Sequence, residues 1–318
     1  MTEINRYTQA LLHRENLSAD DVSRAMQIMT LGGATPAQSS AFLTALRMKG
    51  YTSEELAGAI SFSSFKQRLA DFKEPAVFIS VTSERADAWI GCSLILASLN
   101  IPTYLQFQRT EDMHVGQVLN LDMEIDNELS AECLDETRLC VAYQRKPKLF
   151  RNIVPISQEL DFLNLFDITC PCASLVQPLA IVYEQQDYTD QKLLINAFHH
   201  AACQAALIIG EGGKALRLMD NKLYEVNDIN SFVEPHKIGV GDKAGRLRAF
   251  THNAETLNQN DIIRKAAEVL LIIKAAPTIE DGIRIAAAAV KERSLHTILD
   301  KVVHISNSME IDDSAENA

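Results

Sequence analysis

The sequence predicts a helical N-terminal domain followed by an α/β domain with parallel strands. Two observations carry this. Between Ser18 and Ile60 three short helices are written with start and stop signals in place, and from Ala76 onward short apolar runs alternate with segments of helical periodicity. Strand, helix and strand in succession imply right-handed crossovers and therefore a parallel sheet.

The helices come first. Ser18 with Asp21, Thr35 with Gln38 and Thr52 with Glu55 each pair an N-cap hydroxyl with a side chain three residues on that reaches back, the spacing of a capping box. Pro36 occupies a first helical position, where its missing N–H costs nothing, and Gly50 supplies the residue that ends the same helix. Ala37, Ala41, Phe42, Ala45 and Leu46 recur at helical spacing between them, so one face is predicted to pack on a partner. Phe65 to Pro75 reads as a polar connector between domains.

The α/β pattern then runs in order. Ala76–Val81 is a short apolar run readable as a buried strand, Ala86–Leu99 a helix and Thr103–Phe107 the next strand. Met113–Leu119 and Ala131–Glu136 are predicted helical, Arg138–Tyr143 a strand, and Ile156–Phe166 a helix starting just after Pro155. Leu179–Tyr183 and Ala205–Ile209 read as strands around a helix at Gln191–Ala202. Lys214–Met219 and Lys222–Val226, joined by Asp220-Asn221, read as a hairpin. Helices are predicted at Asp261–Ala275 and Ile279–Lys291, the second introduced by Thr278 with Asp281. The acidic tail from Ser306 is expected to be disordered.

A chain of 318 residues with 47% hydrophobic and 23% charged residues has the composition of an ordinary globular protein. The net charge of −12 opposes binding to nucleic acid and to anionic membrane. No run is long and apolar enough for a membrane span, and MTEINRYTQALLHRENL has no signal-peptide core, so a cytoplasmic protein without membrane partners is expected. The six cysteines, Cys92, Cys133, Cys140, Cys170, Cys172 and Cys203, suit buried thiols better than a disulfide framework. Cys170 with Cys172, and His199 with Cys203, lack the partner set of a zinc site, and a core role is favoured for both pairs. His199 and His200 have no nucleophile motif beside them, and Gly210, Gly212 and Gly213 do not form G-x-G-x-x-G.

The run GGATPAQSSAFLTALRMKGYTSEELAGA, Gly32 to Ala59, resembles the N-terminal helical domain of anthranilate phosphoribosyltransferase and the wider glycosyltransferase family 3. KPKLFRNIVPISQEL, LNLFDITCP and KAAEVLLIIKAAPTIEDGIRIAAAAV follow in the family's order, so the resemblance spans roughly residues 5 to 303. It implies an α/β fold with an N-terminal helical domain and a mostly parallel central sheet. The expected divisions are a dimerisation domain at 1–72, with a later helical segment near 150–170 packing against it, an α/β domain at 73–305 and a tail at 306–318. A homodimer is expected, because the family pairs through its helical domain.

The resemblance also says where the chemistry belongs, and there the residues depart from it. The family brings a glycine-rich turn onto the pyrophosphate of phosphoribosyl pyrophosphate; here Val77 to Trp89 holds no glycine, and Glu84 and Asp87 add negative charge. Each carboxylate at contact distance from a phosphate opposes it by roughly 1 to 4 kcal/mol. The family's Lys-His-Gly-Asn-Arg run aligns with Leu105, Gln106, Phe107, Gln108 and Arg109, keeping only the arginine. Its phosphate-binding serines align with Thr110, Glu111, Asp112 and Met113, and its anthranilate-orienting arginine with Ser157. Its magnesium-holding Asp-Glu pair aligns near Lys214, Ala215 and Leu216, so no cofactor is expected even though the family uses magnesium; Glu211 is the nearest displaced carboxylate.

The remaining candidates for binding an anion are Arg109 and the basic segment containing Arg145, Lys146, Lys148 and Arg151, which in the family borders the cleft; the alternative for this segment is a solvated loop. Lys243, Arg246 and Arg248 form a second basic cluster with the same ambiguity. Trp89 stands where the family's pyrophosphate turn enters a helix, and its indole would fill volume that a diphosphate needs. The sequence thus favours a divergent family-3 protein that has lost the parental donor and binds something else or nothing. A transferase using another donor, or a nucleic-acid-binding module built on the basic segment, are the alternatives.

Overall fold

The computed structural model describes residues 2–81, 85–108, 110–143, 150–184, 190–210, 213–227, 229, 240–253, 256, 258–292 and 294–308, without the side chains of 65–67 and 240. The chain divides into two compact units, one of Met1–Arg68, Arg145–Leu175 and Tyr188–Gln204, the other of Leu69–Gln144, Val176–Asp187 and Ala205–Ala318.

The first unit is helical: α1 (Glu3–Leu12), α2 (Ala19–Thr30), α3 (Pro36–Lys49), α4 (Ser53–Gln67), the short α8 (Val154–Glu159) and α9 (Leu165–Thr169), and α10 (Gln191–His200). All three capping boxes form: the hydroxyls of Ser18, Thr35 and Thr52 accept from the backbone N–H groups of Asp21, Gln38 and Glu55, whose side chains accept in return. Gly50 ends α3 at φ +90°, in the region that favours glycine. The buried face of α3 is Ser39, Phe42, Leu43, Ala45 and Leu46; Ala37 and Ala41 of the predicted stripe are exposed. α1 packs on α3 and α2 on α4. At the second crossing a Cβ on Gly58 would lie 2.2 Å from the Ala19 carbonyl oxygen, so the two helices meet at a distance that a side chain at this position would prevent.

Two expectations about this unit are corrected. α4 continues through Phe65 to Gln67, so the connector begins only at Arg68. The predicted helix at Ile156–Phe166 is two helices. Asp161 takes φ +48°, and the Asn164 side chain accepts from Phe166 N while Asp167 accepts from Asn164 N, a fourth capping box that starts α9.

The second unit holds a seven-stranded sheet in the order β3-β2-β1-β4-β5-β6-β7. The strands are β1 (Ala76–Val81), β2 (Thr103–Phe107), β3 (Leu139–Tyr143), β4 (Pro178–Glu184), β5 (Ala206–Ile209), β6 (Ala215–Met219) and β7 (Lys222–Val226). β1 to β5 pair in parallel and β6 and β7 antiparallel. Every residue of β1 is buried, as expected of a central parallel strand covered on both faces. Asp220 and Asn221 turn the hairpin with φ of +53° and +58°, the left-handed pair that a two-residue turn of this hand requires.

Around the sheet run α5 (Ala86–Ser98), α6 (Thr110–Leu119), α7 (Asn127–Thr137), α11 (Val240–Thr251), α12 (Gln259–Ile272), α13 (Ile279–Glu292) and α14 (Leu295–Ser306). α5 is buried on all sides: it packs on α11, α12, α13 and α14, and Val77, Ile79 and Val81 of β1 share one apolar core with its Ile90, Leu94 and Ile95. α1, α11 and α14 are additions to the predicted elements. The described residues include no helix long and apolar enough to cross a membrane.

Candidate functional site

In this sheet the chain leaves β1 toward β2 and β3 on one side, whereas β4 and β5 lie on the other. The reversal falls between β1 and β4, and ligands of open α/β sheets bind beyond the carboxyl ends of the strands at such a point. The last residues of the two strands, Val81 and Glu184, are direct register partners.

That place is built of buried charge. Glu184 closes β4 with only 2% of its surface exposed, and one of its carboxylate oxygens accepts a hydrogen bond from Trp89 Nε1 in α5. Its other oxygen lies 3.8 Å from Lys265 Nζ of α12. Lys265 is fully buried; its ammonium also stands 3.5 Å from Asp261 Oδ1 and 5.1 Å from the centroid of the Trp89 ring, within cation–π reach. Asp261 is in turn paired with Arg85 at 3.3 Å. Among the described residues two carboxylates and two cations thus meet around the indole. Burial raises the Asp261 carboxyl above its ordinary range, opposed by the charges of Lys265 and Arg85.

A second cluster adjoins it in sequence. Asp87, in the first turn of α5, accepts from Arg246 Nη2 of α11 at 2.8 Å and from Asn258 Nδ2 at 2.9 Å. α12 carries a third, in which Glu268 meets Arg217 at 3.2 Å and Arg264 at 3.3 Å. The acidic side chain read in the β1 turn, Asp87, is therefore internal and neutralised. The basic cluster is corrected as well: Arg246 pairs with Asp87, Arg248 donates to the Val118 carbonyl at 2.8 Å and Lys243 is buried, so the three do not form one exposed anion patch.

The other sequence candidates fall as follows. Arg109, Arg145, Lys146 and Lys148, with Glu84 and Glu211, lie outside the described residues, and Arg151 is exposed in the turn before α8. Gln106 is buried in β2, and Gln108 just beyond it donates to Ser80 Oγ at 3.2 Å. Thr110, Glu111 and Asp112 open α6. The Ser157 hydroxyl donates to Asp167 Oδ1 at 3.1 Å and accepts from Asn164 Nδ2 at 2.7 Å, a local tie between α8 and α9. Lys214 is exposed, while Ala215 and Leu216 are buried in β6; none offers a carboxylate, and as magnesium ligands they do not fit.

All six cysteines are free thiols, five buried and Cys170 partly so; burial pushes Cys133 up to about 12 and Cys92 higher still, which leaves both protonated and unreactive. Cys203 and Cys172 are in the core as expected, but His199 is exposed. The described residues include no group of three or more His, Cys, Asp or Glu side chains disposed to hold a metal. Sequence reading singled out Trp89 and Asp87 but missed Glu184, Asp261 and Lys265. A carboxylate ending an apolar strand, and Asp261 four residues before Lys265 inside an apolar helix, were the available signals.

Residues 5–62 match the helical bundle domain of the glycosyl transferase family. Along the whole chain the likeness is to anthranilate phosphoribosyltransferases: 24% identity to that of Rhizobium rhizogenes, covering 98% of this chain and 100% of the relative, and 26% to that of Anaeromyxobacter dehalogenans, covering 88% and 92%. The crystal structure of the Thermus thermophilus enzyme superposes with a TM-score of 0.80 at 15% identity, over 94% of this chain and 99% of that one. The Saccharomyces cerevisiae enzyme in complex with phosphoribosyl pyrophosphate and magnesium gives 0.74 at 15% identity, over 96% and 99%. Over most of its length the chain is thus similar to anthranilate phosphoribosyltransferases, and at 5–62 to the helical bundle domain of the glycosyl transferase family.

Proposed function

We propose that this protein no longer binds phosphoribosyl pyrophosphate or magnesium and acts as a non-catalytic, repurposed binding protein on the transferase fold. The observation that carries the reading is the Trp89–Glu184–Lys265 arrangement at the ends of β1 and β4. A diphosphate needs free N–H donors, uncommitted cations and space. Here Lys265 is held between two carboxylates, and the Trp89 indole and the Glu184 carboxylate stand beside the ends of the two strands. Adding a phosphate beside Glu184 would cost roughly 1 to 4 kcal/mol for each like-charge contact. The absence of oxygen ligands on Lys214, Ala215 and Leu216 supports the same reading for magnesium, because a cation bridging a diphosphate needs hard oxygen donors.

The test is a calorimetric titration of the full chain with phosphoribosyl pyrophosphate, with and without magnesium, at near-physiological salt. No binding heat at millimolar ligand is expected. Magnesium-dependent binding in the micromolar range would overturn the proposal and favour a working transferase.

A further inference from the structure

We propose that His252 and His296 form a surface site for a divalent transition cation such as zinc, held by the two imidazoles and completed by water. The site shares no residue with the Trp89–Glu184–Lys265 arrangement, and it stands or falls independently of what binds at the ends of the strands.

The fold joins two residues that lie far apart in the chain. His252 directly follows α11 and His296 is the second residue of α14, two helices that pack on each other. Their ring centroids lie 5.0 Å apart, with the ring planes inclined by 22°. Two imidazoles on one ion, at metal–nitrogen distances of about 2.0 to 2.1 Å, place their ring centres about 4.5 to 5.2 Å apart for octahedral to tetrahedral angles. The pair is spaced as two ligands of one ion are. His252 is exposed and His296 half-buried, and the last torsion of a histidine side chain is broad, so aiming each nitrogen at a shared ion costs little.

Hydrogen bonding at His252 points the same way. Its Nδ1 lies 2.9 Å from the Arg248 carbonyl oxygen and 3.4 Å from the Thr251 hydroxyl. A carbonyl can only accept, so Nδ1 carries the proton and the neutral ring keeps its lone pair on Nε2. Donation of one ring N–H to a backbone carbonyl is the common support of a metal-binding histidine, because it fixes the tautomer and raises the basicity of the other nitrogen. Among the described residues, neither Nε2 of His252 nor either ring nitrogen of His296 meets a hydrogen-bond partner. Imidazole suits zinc, copper and nickel, whereas magnesium and calcium take oxygen. Two protein ligands fall short of a closed structural site, so water fills the remaining positions and the affinity is expected to be micromolar.

The experiment titrates the untagged, chelator-stripped full chain with zinc chloride at about pH 7.5 by calorimetry, beside His252→Gln and His296→Gln, with magnesium chloride as the control. Wild type is expected to bind one zinc ion and to melt about 4 °C higher at a hundredfold excess over the dissociation constant, a gain that EDTA reverses. Each variant is expected to bind zinc roughly tenfold or more weakly, and without zinc to melt within about 2 °C of wild type, as surface substitutions do. Magnesium is expected to give neither heat nor stabilisation. The chain has eight histidines, so unchanged zinc affinity in both variants would place the ion elsewhere and overturn the inference, as would a wild type that binds no zinc. If H296Q does not fold, H252Q, changed at an exposed position, decides alone. Binding of phosphoribosyl pyrophosphate by wild type would defeat the functional reading and leave the zinc result as it is.

Discussion

Glu55 shows how much one side chain does in the helical unit. It is completely buried, yet Oε1 accepts from Leu17 N at 2.9 Å and Oε2 accepts from Thr52 N at 2.8 Å and Lys49 Nζ at 2.9 Å. It caps α4, holds the turn before α2 and neutralises a nearly buried lysine at once. Truncation in Glu55→Ala would leave two backbone donors without their acceptor and the Lys49 ammonium with the neutral Asn16 Oδ1 at 3.0 Å in place of a carboxylate, and is expected to cost about 3 to 5 kcal/mol in urea unfolding. A loss below about 1 kcal/mol would mean that water reaches all three. The capping role was legible in Thr52-x-x-Glu55; burial of the carboxylate was not, because Lys49 and Leu17 meet it only through the packing of other helices.

At the scale of elements, α12 gathers the buried charge of the second unit. Asp261, Lys265 and Glu268 lie on one helix, and their partners include Arg85 just before α5, Glu184 of β4 and Arg217 of β6. Burial raises both the Asp261 and the Glu268 carboxyl, against the pull of their cations. A carboxyl raised in the folded state binds its proton more tightly there than in the unfolded chain. These two groups therefore stabilise the fold most at low pH, and their contribution falls as pH climbs from about 4 through the raised values. Asp261→Asn is expected to gain on wild type as pH rises through that window in urea titrations; a variant that loses ground as pH rises contradicts the assignment. Sequence periodicity located α12, β1 and β2 because apolar spacing and turn residues are local. It joined α8 and α9 into one helix because apolar spacing continues across Asp161, and only the Asn164 cap marks the break.

Taken whole, the molecule has the fold of the anthranilate phosphoribosyltransferases, with a buried Trp89–Glu184–Lys265 arrangement at its switch point. The parallel order of β1 to β5 was legible from alternating strands and helices. What fills the ends of those strands was half legible: Trp89 was visible as bulk, whereas Glu184 and Lys265 come from positions 81 residues apart and look like ordinary charges until the fold joins them. Trp89 is the only tryptophan in the chain, so its fluorescence reports on this one place. The most direct measurement is Trp89 emission during addition of phosphoribosyl pyrophosphate with magnesium. The account predicts an unchanged spectrum up to millimolar ligand. A saturable, magnesium-dependent change at micromolar concentration would mean that the site opens to the diphosphate, and would contradict it.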